Sequence, residues 1–554
     1  HHTKQPELYR HKNKHCIAIP NRHSILRGSS HKPRTAPSSV LATAEMSNKG
    51  EAAALHAAAP GTTKSRSVDD YYNIAYEEGT NRWQFWLIFL SLGIANSGDA
   101  TEISCMNYIL SHPLFKEEIL QKGTLEEDYG GRGAAIASSI FAGMLIGGIV
   151  TGAYGDRLGR RPTLLAGLFL NATSGIAASM AQTAVIMCGC RFFAGLGIGA
   201  VLSSLITLAS ELSPSKHRGW YITIVGGFWT LGSVFIALLA FILFGRNNYS
   251  WRIFVLIAAS PTLLGGILVY SFVPESPRYL ALHGRYQDAV NVANHVAESM
   301  GYSGEKLSIS EIRDHYGHLT EEKNYLIQKN DNAMKKIRDL YGKNLFLHTT
   351  LPLQIVWFAM SFGSGLCTWI TKLFEEIGLS DIYLQSLYFA LANIPGNAMA
   401  TFLVDRIGRK VLLFGSMTSA ALCLGLAAHG ASDAEARQLQ VILSSCAFHS
   451  FLVTGWCALS VMTSELFPTS IRGTGMGVCS GVGRIAGILV QYINGAFIDQ
   501  PLVLLLAAAT CMMTGAFAPI VCRMQDMTDK HLFEIPSMAM GVVEGDGQAV
   551  HKIV

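Results

Sequence analysis

Four ionised side chains stand inside long apolar runs of this sequence: Asp99, Glu102, Arg191 and Arg484. Charge in hydrocarbon is tolerated only beside a partner, a proton or a bound solute, so each is a candidate for binding or coupling. Asp99 and Glu102 are three residues apart and share one helical face. At about 1.5 Å per residue, Asp99 lies roughly fifteen residues from one end of its run and Arg191 roughly seven from the opposite end of its own. That puts them at similar depth, where they could pair. A carboxylate whose partner can be exchanged for a proton is a coupling device. We therefore expect Asp99 and Glu102 to take up and release the proton, with Arg191 tuning their affinity for it. A permanent salt bridge is the plainer alternative.

Arg484 falls halfway along its run, where a guanidinium could receive a carboxylate bidentately. It is expected to bind an organic anion. Trp229, Trp357, Trp369, Trp456, Gln354 and His449 are candidates to line the same space, although any of them can equally be helix packing.

The elements that must hold these groups are membrane helices. Half of the 554 residues are hydrophobic and 15% are charged, with a mean hydropathy of +0.29, too apolar for an ordinary globular surface. About twelve runs reach the roughly 20 apolar residues that a spanning helix needs. The 11 cysteines fall mostly within these runs and read as small buried thiols. No nucleophile motif, metal cluster or phosphate loop is recognisable, so neither an enzyme, a cofactor nor a nucleic-acid partner is expected.

Two motifs recur at one shared offset of about 250 residues. Gly152, Asp156, Arg157, Gly159, Arg160 and Arg161 form a charged, glycine-broken turn, repeated as Asp405, Arg406, Gly408, Arg409 and Lys410. Glu211 with Arg218, in Glu-Leu-Ser-Pro and Arg-Gly, is repeated as Glu465 with Arg472. A shared offset means a duplicated unit, and parallel repeats in an apolar chain suggest a two-halved transporter. The basic turns place both termini in the cytoplasm. Their charges are expected to gate: they pair with neighbouring charges and helix ends in one conformation and release them in the other.

Residues 1–80 lack an apolar run and are expected to be a disordered tail. Composition up to Ala44 is loosely like a transit peptide, and Met46 would serve as a start. A six-helix bundle is expected over 81–273, a cytoplasmic linker over 274–348, a second bundle over 349–523 and a disordered tail over 524–554.

The paired turns, the two Glu-Leu-x-Pro segments and Pro274-Glu-Ser-Pro-Arg278 resemble the major facilitator superfamily. The stretch from Arg191 to Gly219 is similar to the sugar-porter pattern, while Gly98-Asp-Ala-Thr-Glu102 and Cys479-Ser-Gly-Val-Gly-Arg484 look closer to synaptic vesicle 2-related proteins, niacin carriers and organic ion transporters. The resemblance implies an all-α membrane protein, twelve helices in two pseudo-symmetric halves, acting as a monomeric, proton-coupled carrier of a small solute. Organic anion transporters carry arginine at the position matching Arg484. Ile206 and Leu208 replace the Pro-x-Tyr of hexose carriers, and the seventh helix keeps only Gln354 of their polar set. A sugar or polyol porter and a non-transporting vesicle protein are the alternatives.

Overall fold

The computed structural model describes residues 66–120, 129–247, 249–317, 333–342, 345–404, 406–467, 471–522 and 524; within these, the side chains of 129, 152–157, 333–336 and 434–435 are outside the description. Helix α1 is Val68–Glu78. The first half then runs through α2 (Trp83–Ile109), α3 (Tyr129–Leu158), α4 (Arg160–Ser179), α5 (Ala184–Leu212), α6 (Arg218–Ala240, continued to Arg246), and α7 (Trp251–Ala258) with α8 (Ser260–Phe272) as one broken span. The linker holds α9 (Pro277–Leu282), α10 (Tyr286–Ser299) and α11 (Ala333–Leu340). The second half comprises α12 (Leu351–Gly365) with α13 (Ile370–Ile377), α14 (Ile382–Leu391) with α15 (Asn393–Leu403), α16 (Arg409–Ala431), α17 (Ala434–Leu466), α18 (Arg472–Ala496) and α19 (Pro501–Val521).

Among the described residues, nine helical segments are long and apolar enough to span a membrane by composition. The other three spans, α2, α4 and α14 with α15, carry the polar residues Asp99 and Glu102, Asn171, and Gln385 and Asn393, all buried inside the bundle. The sum is twelve spans in two halves of six.

The two halves repeat one another in their packing. In the first, α2 packs on α6 and α8, α5 on α3 and α4, and α4 on α8; in the second, α12 packs on α18 and α19, α17 on α15 and α16, and α16 on α19. Backbone geometry repeats as well. Gly159 (φ 103) and Gly408 (φ 82), at matching places in the two charged turns, occupy the positive-φ region that side chains disfavour. Close packing of α3 on α5 depends on glycines spaced four apart: a β-carbon at Gly143 or Gly195 would sit 2.0 Å from a carbonyl of the facing helix.

The halves meet through α3 against α18 and α6 against α14. At the end opposite the charged turns, here the far end, one apolar core joins both halves, from Tyr108, Phe115 and Phe254 to Trp369, Phe374 and Phe389, and it continues through the second half to Leu466 and Phe467. At the turn-bearing end a second core, with Tyr72, Phe85, Tyr221, Val296 and Ile312, contains no residue beyond Tyr316.

The amino-terminal segment corrects the expectation of a tail disordered to residue 80. α1 buries Val68, Tyr71, Tyr72 and Ala75, and the Ser67 hydroxyl caps it by accepting from the Asp70 amide. These four positions follow the one-face helical spacing that drives docking of an amphipathic helix. Residues 1–65 and 525–554 lie outside the described residues.

Candidate functional site

In the first half, α2 carries Asp99 and Glu102 on the face turned to α4 and α5. Both are fully buried, as is Arg191. Arg191 does not pair with Asp99, as similar depth had suggested. Its Nη1 donates to Glu102 Oε1 at 2.6 Å and its Nη2 to the Glu102 main-chain oxygen at 2.7 Å. Asp99 instead accepts from the Asn171 amide of α4 at 3.0 Å. One helical turn separates the two carboxylates along α2, and that turn decides which one meets the cation.

Arg484 projects from α18 toward the other half. Gly481 and Gly487, three residues on either side, face Leu145 and Phe141 of α3, and Gly483 abuts the Trp357 ring. The arginine is half-buried, and among the described residues no hydrogen bond or ion pair reaches its guanidinium. Trp357 donates to Thr463 at 3.0 Å and meets Trp456 edge to face at 5.4 Å. Trp357 and Trp456 thus sit together beside Gly483, the residue before Arg484.

The remaining candidates fall elsewhere. Gln354 donates to Tyr341 at 3.0 Å beside the linker. His449 is held by the Phe389 carbonyl at 2.7 Å and stacks on that ring at 4.1 Å, so it joins α17 to α14. Trp229 is half-buried on α6, next to Thr230, which accepts from Asn397 of α15 at 2.5 Å. Trp369 is fully buried and donates to Gln491 at 2.8 Å.

At the turn-bearing end the main-chain amides of Arg160 and Arg161 both donate to Glu275 Oε1 at 3.2 Å, which caps α4. Arg161 also donates to the Tyr270 carbonyl. In the second half Arg409 pairs with Glu465 at 3.4 Å, Arg472 donates to the Phe467 carbonyl and Lys410 to that of Met524. Arg406 is exposed, and Glu211 has a bonding partner. Gly152, Asp156 and Arg157 are helical, with side chains outside the description; Asp405 is outside the described residues.

Sequence reasoning missed the partners that fold topology supplies. Asp69 of α1 accepts from Arg218 at 2.8 Å and also meets Arg278, while Arg66 holds Glu311 at 2.6 Å. Although burial pushes the Glu311 carboxyl upward, the bonds from Arg66 and Ser308 hold it below the ordinary glutamate range. At the far end, Lys116 pairs with Glu375 across the halves at 2.6 Å, the Thr371 amide donates to Asn107 at 2.9 Å, and Trp369 lies against Gly133.

Known proteins share this layout. Residues 103–538 match the family model described as "Sugar (and other) transporter". The chain is 28% identical to the niacin transporter NiaP of Acinetobacter baylyi, over 69% of this chain and 84% of that protein. It is 28% identical to the synaptic vesicle 2-related protein of Rattus norvegicus, over 79% and 78%, and 29% identical to organic anion transporter 3 of Oryctolagus cuniculus, over 70% and 68%. The inward open xylose transporter XylE from E. coli superposes with a TM-score of 0.65 at 17% identity, covering 82% of this chain and all of that one. With the duplicated bundle, its charged turns and this match over most of its length, the chain belongs to the sugar (and other) transporter family of the major facilitator superfamily, and it is a multi-pass membrane transporter rather than an enzyme.

Proposed function

We propose that this transporter moves a small organic anion by proton-coupled alternating access, as a monomer with both termini in the cytoplasm. The observation that carries the reading is Arg484, a half-buried guanidinium at the seam of the halves with no protein partner among the described residues. A fixed positive charge so placed is completed by an anionic solute. Trp357, packed on the adjacent Gly483, and its neighbour Trp456 supply flat apolar surface on the same stretch of the second half. Two relatives whose names specify niacin and organic anions support the same class.

Coupling is supported by the buried carboxylate of Asp99, which has a neutral partner in place of a cation. In the cycle the halves rock about α3 with α18 and α6 with α14. The far-end contacts open as the charges of the two turns engage at the cytoplasmic end. The test is uptake of labelled nicotinate into proteoliposomes under an imposed pH gradient, with unlabelled carboxylates and hexoses as competitors. Competition by carboxylates, loss of competition in Arg484→Ala and collapse with an uncoupler are expected. Competition by hexoses alone overturns the substrate class, and indifference to pH and uncoupler overturns the coupling.

A further inference from the structure

We infer that the lipid-facing groove between α4 and α5, near the far end, is a sterol site with the Ser174 hydroxyl as its polar anchor. Leu170, Ser174 and Ala177 of α4 and Ile186, Gly189 and Phe193 of α5 line a hollow of about 590 Å³. Ala177, Ile186 and Phe193 are exposed, and both helices pack inward on elements of their own half. A spanning helix meets hydrocarbon on such a face, so what fills the hollow is a lipid.

Two features make it a site rather than a plain seam. Gly189 opens the space, since no atom lies within 4 Å of where its β-carbon would stand. Ser174 then brings an unmet polar group into it: the residue is 7% exposed, and among the described residues no hydrogen bond reaches its hydroxyl. Its neighbour Thr173 returns its own hydroxyl to the Phe169 carbonyl at 2.7 Å, the usual way for a helix to satisfy such a group. A hydroxyl left unpaired where water does not reach is costly, which favours an occupant bearing a polar atom.

Depth and shape select the occupant. Ser174 lies five residues before Ser179, the last of α4, roughly 7–8 Å below the far end. A sterol carries one hydroxyl at the head of a rigid, flat ring system and hangs with that head toward the membrane surface. With its hydroxyl at Ser174, the rings run inward over Gly189 toward Leu170 and the face of Phe193. An acyl chain brings no hydrogen-bonding group along its length and loses more rotational freedom on being held. Behind the groove, Gly175 packs on Glu102, where a β-carbon would lie 3.1 Å from Oε2, and Arg191 follows Cys190. A bound sterol therefore ties α4 to α5 beside the buried ion pair.

The test is photolabelling of the purified, full-length transporter in phosphatidylcholine vesicles by a photoreactive cholesterol analogue, with the labelled peptides mapped by mass spectrometry. Saturable labelling of residues 170–177 and 186–193, displaced by unlabelled cholesterol, is expected. Gly189→Leu fills the hollow from open space and suits a helix, so it abolishes that labelling while the unfolding midpoint without sterol does not fall. Ser174→Ala raises the half-saturating concentration roughly three- to ten-fold, the loss of one hydrogen bond. The sterol with its hydroxyl inverted displaces the probe less well by a similar factor. Labelling that survives Gly189→Leu, or is no stronger here than on other lipid-facing helices, overturns the site. If cholesterol and its epimer compete equally and Ser174→Ala labels like the parent, the sterol assignment falls in favour of an acyl chain.

Discussion

Lys116 and Glu375 join the two halves at the far end through a 2.6 Å ion pair, each side chain largely shielded from solvent. Lys372 also reaches Glu375, at 3.3 Å, so the carboxylate is shared by one cation from each half. The seal beneath it is Trp369 on Gly133 and the backbone contact of Gly130 with Gly495.

Breaking that pair is expected to favour opening of the far end. A partly exposed pair contributes up to about 1 kcal/mol, so Lys116→Ala raises the open fraction roughly two- to five-fold. Labelling of a cysteine placed at Asn107 by an impermeant maleimide reads the change. The charge-swapped pair Lys116→Glu with Glu375→Lys returns labelling toward that of the parent.

Gly130→Ala acts on the same closure by sterics. Its β-carbon would lie 2.0 Å from the Gly495 carbonyl oxygen, so α3 and α18 cannot approach as they do here. Labelling at Asn107→Cys rises more than in Lys116→Ala, because overpacking against backbone costs about 1–3 kcal/mol.

Glu102 and Asp99 separate in stability. Glu102→Gln leaves Arg191 buried without a counter-charge and is expected to cost about 3–5 kcal/mol, seen as a large fall in the thermal unfolding midpoint. Asp99→Asn keeps its hydrogen-bonding shape beside Asn171 and unfolds near the wild-type temperature. Similar midpoints for the two variants count against the ionised pair.

Docking of α1 depends on acid. The Glu311 carboxyl sits below its ordinary range in the docked state, so the stabilisation it lends is complete above the undocked value of about 4.3 and is lost as pH falls through the docked one. Hydrogen exchange across Val68–Glu78 is expected to accelerate in acid beyond the intrinsic rate. Asp69→Asn accelerates it at neutral pH as well, by releasing Arg218 and Arg278.

Local pattern carried the spans, the duplicated turns and the candidate charges. Matched depth brought Arg191 to the right level but to the wrong carboxylate, because counting residues resolves height only to about one 5.4 Å turn. α1 did leave a signal: Ser67 before Asp69 and Asp70, then apolar residues at 68, 71, 72 and 75. It is invisible to a search for long apolar runs, since a short amphipathic helix is held by what it docks against. Lys116 with Glu375 is 259 residues apart in sequence and had no local trace. His449 looked like a lining residue because mid-depth polarity is ambiguous until a neighbouring carbonyl is found to satisfy it.

The apolar core shared by the halves at the far end sets a thermal character for the whole cycle. Parting there brings Tyr108, Trp369 and Phe374 toward water, so under the proposed mechanism separation of the halves at this end resembles a small, reversible piece of unfolding, with a positive heat capacity of its own. The balance between the two poses then follows a curve against temperature, and chilling, which weakens the grip of oily surfaces on one another, tips it toward the parted form.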